Sequence, residues 1–265
     1  MAIITVTKIR EKKNIKKITM LTAYDYQISV ILNEMKVDII LIGDSLGMVA
    51  LGYKNTLPVT MEEMIHHTKA VARAVNYSLV IGDMPFLSYQ VDTKEAIFNA
   101  GRFIKEAGAT AVKLEGGEEV IDKVRAIVNA GIPVMGHIGL TPQYCCQMGG
   151  YKVQGRNDQE AKKILKDAQL LEKAGVFSLV LECIPSLLAM EITKLVSIPT
   201  IGIGAGKHCD GQVLVTNDLL GISNKKMPKF VRKYANLDKI TKKAIKRFIR
   251  DVEMNSFPSE EESYQ

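Results

Sequence analysis

Five short apolar runs in this chain each end on a residue suited to acid, base or metal chemistry. Asp44-Ser45 follows Ile-Leu-Ile-Gly, Asp83 follows Leu-Val-Ile-Gly, Glu115 follows Ala-Val-Lys-Leu, His137 follows Pro-Val-Met-Gly, and Glu182 follows Ser-Leu-Val-Leu. If the runs are parallel strands, these residues share one rim, because such sheets bind ligands at the carboxyl ends of their strands. Carboxylates crowded on one rim repel each other unless a cation, a lysine or a proton compensates, so the arrangement points to a bound metal. Oxygen ligands favour Mg²⁺ over zinc, and Asp44 and Asp83 are the first-choice ligands. A 2-oxo acid suits that ion: one carboxylate oxygen and the ketone oxygen fill two adjacent positions. The metal then stabilises the enolate formed when the neighbouring carbon loses a proton. The base must be a separate group, and Glu182, flanked by Leu181 and Cys183, has a setting in which burial raises proton affinity. Side chains alternate along a strand, so Lys113 and Glu115 point one way and Leu114 the other.

Each residue also has a plainer reading. Asp44 and Asp83 would equally cap a following helix or close an Asx turn. Glu182 would be the buried partner of Lys113, and His137 a rim histidine satisfied by its neighbours. His66-His67 falls mid-helix, where adjacent residues face different directions, so it is no metal pair. The glycine-rich stretch from Ile201 to His208 matches neither a P-loop nor G-x-G-x-x-G. Its small residues serve either close approach of a ligand or a tight turn.

The elements that must position these groups are legible as eight β-strand-to-helix units. Strands are expected at Ile18–Ala23, Ile39–Ile42, Leu79–Ile81, Ala111–Leu114, Pro133–Gly136, Leu179–Leu181, Thr200–Ile203 and Gln212–Val215. Helical patterns separate most of them. Thr60-x-x-Glu63 is a capping-box signature ahead of an apolar stripe through Met64, Ile65, Thr68 and Val71, and another helix starts at Asp92-x-x-Glu95. Ala107-Gly108, Ala130-Gly131 and Ala174-Gly175 each close a helical stretch before a new strand. Eight such units favour an α/β fold of the (β/α)8 TIM-barrel kind over an open sheet. The expected layout is a single domain over 1–265: a barrel over about 18–221, an extra basic C-terminal helix over about 226–255, and a frayed acidic tail over 259–265.

Composition narrows the function classes. Hydrophobic residues make up 47% and charged residues 24%, a balance that builds a core without disulfides or structural metal. The four cysteines lack C-x-x-C spacing, no run reaches membrane-spanning length, and the N-terminal charge order is the reverse of a secretory signal. A cytoplasmic protein with reduced thiols is expected. Much of the net charge of +6 lies between Lys225 and Arg250, interleaved with Ile240, Ala244, Ile245, Phe248 and Ile249. That pattern is a solvated helix packing one face on the body or a neighbouring subunit, or else an arm for polyanions. No aromatic stacking motif accompanies the lysines, which argues against nucleic acid. Two enzyme readings remain on residues alone: carbon–carbon bond formation by an activated 2-oxo acid, and a lyase or mutase of the phosphoenolpyruvate type.

From about Ile18 to Gly221 the ordered motifs MLTAYD, LIGDSLGMV, GDMPF, AVKLEGG, GHIGLTPQ, GGYKVQGR, LVLECIP and TIGIGAG resemble the ketopantoate hydroxymethyltransferase family. The resemblance implies Mg²⁺-dependent transfer of a one-carbon unit from 5,10-methylenetetrahydrofolate to 3-methyl-2-oxobutanoate, giving 2-dehydropantoate for pantothenate and coenzyme A. It implies metal and substrate roles for Asp44 and Asp83, substrate contacts for Ser45 and Lys113, a place for Glu115 in the metal site, and proton abstraction by Glu182. C3 of the oxo acid would then attack the iminium methylene of the folate. A homo-oligomer, often a decamer, is also implied, with no nucleic acid or membrane partner. The Tyr144-Cys145-Cys146 segment and the lysine-rich region beyond Gly221 are the less typical parts.

Overall fold

The structure is a computed structural model that describes residues 3–222 and 227–265. Eight strands pair in parallel and in chain order to close a barrel: β1 (Ile18–Thr22), β2 (Ile39–Ile42), β3 (Leu79–Asp83), β4 (Ala111–Glu115), β5 (Val134–Gly139), β6 (Ser178–Glu182), β7 (Thr200–Ile203) and β8 (Gly211–Leu214). β8 returns to β1, with Ile18 opposite Gly211 and Met20 opposite Val213. The helices are α1 (Val6–Glu11), α2 (Tyr26–Glu34), α3 (Leu46–Val49), α4 (Met61–Ala74), α5 (Thr93–Lys105), α6 (Ile121–Asn129), α7 (Cys145–Met148), α8 (Asp158–Ala174), α9 (Ser186–Leu195), α10 (Thr216–Leu220) and α11 (Leu237–Glu253).

Two cores follow from strand alternation. Ile18, Met20, Ile39, Leu41, Leu79, Ile81, Ala111, Met135, Val180, Ile201 and Val213 fill the barrel, joined by Ile9 of α1. The alternate residues, among them Ile40, Ile42, Val80, Val112, Leu114, Val134, Leu179 and Leu181, face the helices in a second layer. Burying a Leu, Ile or Val side chain is worth roughly 1.5–3 kcal/mol, so these layers supply most of the drive to fold. Gly82 shows how closely they meet: a Cβ there would lie 2.2 Å from the Phe103 ring of α5.

Local signals set the helix starts. The expected capping box forms, with Thr60 accepting from the Glu63 N–H and the Glu63 carboxylate accepting from the Thr60 N–H at 2.7 Å. α8 ends at Gly175, whose left-handed φ of 99° suits a glycine C-cap.

Several boundaries differ from expectation. β3, β4, β5 and β6 run further, so Asp83, Glu115, His137 and Glu182 lie within the ladders rather than just past them. The chain divides into two compact units, Met1–Val215 and Thr216–Gln265. Closure of β8 onto β1 leaves the later residues no place in the sheet. In the second unit the basic helix starts at Leu237 rather than near 226, because Asn236 caps it through the Lys239 N–H. Residues 225 and 226, which open the basic stretch, lie outside the described residues. No residue of α11 is buried, and Ile240, Ile245, Phe248, Ile249 and Val252 are exposed. The tail expected to fray holds a 3-10 turn, Glu260–Glu262, because Ser259 and Glu262 satisfy each other's backbone N–H groups.

Candidate active site

Five of the chemistry-bearing side chains inherit their direction from the barrel core. Asp83 stands two residues beyond Ile81, Lys113 and Glu115 two and four beyond Ala111, His137 two beyond Met135, and Glu182 two beyond Val180. Each apolar residue points inward, so its polar successor does too. Register then sets Asp83 opposite Lys113 and Glu115 opposite His137. Asp44 arrives from the turn after β2, and its backbone N–H donates to Asp83 Oδ2 at 3.2 Å. Ser45, half-buried, has its Oγ 2.8 Å from the Tyr24 hydroxyl. Neither aspartate caps a helix: α3 begins after Ser45 without a side-chain cap, and α5 is capped by Asp92.

Buried charge dominates the electrostatics. Lys113 Nζ lies 2.8 Å from Asp83 Oδ1 and 3.7 Å from Glu115 Oε1. Burial pushes the ammonium down, but Asp83, Glu115 and Asp44 outweigh it and keep Lys113 protonated. Burial, with Asp83 and Glu115 nearby, pushes Asp44 well above the usual carboxylate range against the pull of Lys113 and Gln143. Asp83 is raised too, because burial outweighs Lys113. Glu115, although buried, is lowered by His137 and Lys113.

Glu182 is not the partner of Lys113. Its Oε2 lies 3.1 Å from His137 Nε2, while His137 Nδ1 lies 3.1 Å from Lys113 Nζ and 3.4 Å from Glu115 Oε1. Burial and Lys113 depress His137, and the two carboxylates reverse this and raise it. His137 thus lies between the acid cluster and Glu182, in contact with Lys113, Glu115 and Glu182.

Two residues missing from the sequence-derived site are built into it. Gln143, in the 3-10 turn Pro142–Tyr144, donates from Nε2 to Asp44 Oδ2 and to the Met84 carbonyl, both at 2.9 Å, and from its backbone to Glu115 Oε2 at 3.0 Å. Tyr89 donates to Gln143 Oε1 at 2.8 Å and accepts from the Glu115 N–H at 3.1 Å. Both come from loops with no strand period to betray them. The one sequence signal was Thr141-Pro142-Gln143, a proline-led turn directly after β5.

Other candidates resolve as structural features. A Cβ at Gly206, where φ is 78°, would fall 2.1 Å from Ser186 Oγ, so the glycine-rich stretch makes a tight turn against α9. His66 is exposed, and His67 Nδ1 meets the Tyr24 carbonyl at 2.6 Å. All four cysteines are free. Burial, reinforced by Glu182, pushes the Cys183 thiol up to about 12, which keeps it protonated and unreactive as a nucleophile.

The donor set fits a hard divalent cation. Asp44 and Asp83 each have one oxygen held by an N–H, and the remaining Asp83 Oδ1 is buried without an aligned hydrogen-bond partner despite nearby Lys113. Two carboxylates plus water and substrate oxygens is how Mg²⁺ is commonly held. No ready-made group of three or more His, Cys, Asp or Glu ligands occurs among the described residues. Glu115, with both oxygens engaged by the protein, is a poorer direct ligand than the aspartates.

The family model described as ketopantoate hydroxymethyltransferase matches residues 3–260. The chain belongs to this family. A 3-methyl-2-oxobutanoate hydroxymethyltransferase of Syntrophomonas wolfei is 57% identical over 265 residues, covering 100% of this chain and 96% of the relative. Its counterpart in Moorella thermoacetica is 58% identical over 254 residues, covering 96% and 94%. The protein is therefore an enzyme of the hydroxymethyltransferase class. Among solved structures, phosphonopyruvate hydrolase is similar with a TM-score of 0.63 at 12% identity, covering 97% of this chain and 92% of that one. A complex of phosphonopyruvate hydrolase with oxalate and Mg²⁺ gives 0.61 at 13% identity, covering 97% and 93%. These likenesses establish the shared barrel fold alone. The hydroxymethyltransferase family, not the phosphoenolpyruvate-type lyases and mutases, carries the sequence match.

Proposed function

We propose that this hydroxymethyltransferase moves a one-carbon unit from 5,10-methylenetetrahydrofolate to 3-methyl-2-oxobutanoate, giving 2-dehydropantoate on the route to pantothenate and coenzyme A. The observation that carries the reading is the buried Asp44–Asp83–Lys113–Glu115 cluster in a chain 57% identical, end to end, to a relative named for that oxo acid.

Asp44 and Asp83, with Glu115 beside them, would hold Mg²⁺. Bound Mg²⁺ supplies Lewis acidity toward the ketone and carboxylate oxygens of the oxo acid. Ser45 and Lys113 contact the substrate, and the Lys113 ammonium balances the negative charge that develops when C3 loses its proton. Glu182 takes that proton. Its side chain is 16% exposed, more open than those of Glu115 and His137. His137 Nε2 lies 3.1 Å from the Glu182 carboxylate. C3 then bonds to the one-carbon unit, water supplies the hydroxyl oxygen, and tetrahydrofolate leaves.

The same reading has the enzyme act as a homo-oligomer, a homodecamer by family likeness, in the cytoplasm and without nucleic acid. The exposed apolar residues of α11 support assembly, and no helix among the described residues is long and apolar enough to cross a membrane. The direct test is product formation: with Mg²⁺, labelled methylenetetrahydrofolate and the oxo acid, label is expected in 2-dehydropantoate. Label remaining in the folate would overturn the reading.

A further inference from the structure

Gln143 is 2% exposed and has its amide orientation fixed on both sides. Nε2 faces two pure acceptors, Asp44 Oδ2 and the Met84 carbonyl, each at 2.9 Å. Oε1 faces two donors, the Tyr89 hydroxyl at 2.8 Å and Gln90 Nε2 at 3.3 Å. Flipping the amide would set its oxygen against the Met84 carbonyl and Asp44 Oδ2, so the arrangement with Nε2 toward both satisfies the group, while the Tyr89 hydroxyl also lies 3.0 Å from the Glu115 carbonyl. The backbone N–H of the same residue holds Glu115 Oε2 at 3.0 Å, and Tyr89 ties the network to the Glu115 backbone. One neutral, fully satisfied residue from the loop after β5 therefore grips carboxylates delivered by the β2 turn and by β4.

We propose that Gln143 is the positioning residue of the divalent-cation site: by occupying Oδ2 of Asp44 and fixing Glu115, it selects which carboxylate oxygens remain for a cation. This rests on the cation reading above and extends it to a residue that would not itself touch the ion. Tyr89 acts behind it, fixing the amide that fixes Asp44. Partners of this kind orient metal ligands, and losing one typically weakens metal affinity by about 10- to 100-fold.

The test uses Mn²⁺ as the probe and loss of the free-ion electron spin resonance signal as the readout, with no substrate present. Gln143→Met, of similar length but without donors, is expected to bind Mn²⁺ about 10- to 100-fold more weakly at unchanged far-UV circular dichroism. Oxo-acid C3 exchange by this variant should recover as Mn²⁺ is raised, which damage to the fold would not allow. Tyr89→Phe, which removes only a hydroxyl, should weaken binding by a smaller factor and keeps the proposal testable if the first variant does not fold. Wild-type Mn²⁺ binding with unchanged affinity in either folded variant would overturn the role of Gln143 alone. Lost exchange in Gln143→Met that no Mn²⁺ concentration restores would also overturn it. No Mn²⁺ binding by the wild type would instead sink the cation reading, and this role with it.

Discussion

Lys113 is the one ammonium held among Asp83, Glu115 and Asp44, and it lets those acids share a closed space. Removing one partner of a buried ion pair leaves its neighbours uncompensated, a change that costs about 3–5 kcal/mol. Lys113→Met should therefore lower stability by roughly that amount in metal-free protein, and saturating Mg²⁺ should recover part of it. Urea denaturation with and without Mg²⁺ checks this, and an equal loss under both conditions would argue that no cation joins the cluster. Asp44, Asp83, Glu115 and Glu182 were legible from sequence because each follows an apolar run, and Lys113 because alternation puts it on the same face as Glu115. The pairing of Glu182 with His137 was not, since alternation gives a side chain's direction but not which neighbour it meets across a register. Gln143 was less legible still: it reaches the site from a turn, where neither period nor charge marks it.

At the level of elements, the mouth carrying the acids has a counterpart where the turn after α1 and the start of β1 meet the segments before β2 and β8. Ion pairs Lys12–Asp38 and Lys13–Asp210 and a bond from Lys17 Nζ to the Cys209 carbonyl at 2.6 Å fix the N-terminal basic stretch there. From sequence that stretch told only against a secretory signal; its acidic partners lie far along the chain and no local pattern pairs them. Asp210 also accepts from the Thr200 N–H at 2.9 Å and from the Asn14 N–H at 3.3 Å. Burial raises its pKa, but these donors and Lys13 outweigh it, so the folded value lies below the ordinary 3.8. A depressed folded pKa contributes stability that is present above the unfolded value and lost as pH falls through the folded one. Asp210→Asn should then be less stable than wild type by about 1.5–3 kcal/mol at neutral pH, the worth of hydrogen bonds to a charged group. The gap should shrink as pH drops below 3.8. Urea titrations at neutral and acid pH read this directly, and a gap independent of pH would show that the charge is not what Asp210 contributes.

Over the whole molecule, one alternation produces both stability and chemistry. The inward positions are mostly apolar through the barrel, and the acids, Lys113 and His137 stand at the carboxyl ends of β3 to β6, which gathers a cluster of acids in one partly lysine-neutralised mouth. The barrel and its strand count were legible because each unit carries its own period and punctuation; the strand ends were misjudged because glycines such as Gly82 and Gly136, expected to stop a strand, instead face the helices and let them approach. The central claim is that this mouth makes a carbanion equivalent at C3 of the oxo acid with Glu182 as the base. Proton nuclear magnetic resonance of 3-methyl-2-oxobutanoate in D₂O, with enzyme and Mg²⁺ but no folate, measures it most directly. Loss of the C3 hydrogen signal is expected, dependent on Mg²⁺ and nearly abolished by Glu182→Gln. A signal that persists with wild-type enzyme, or exchanges equally fast with Glu182→Gln, would contradict it.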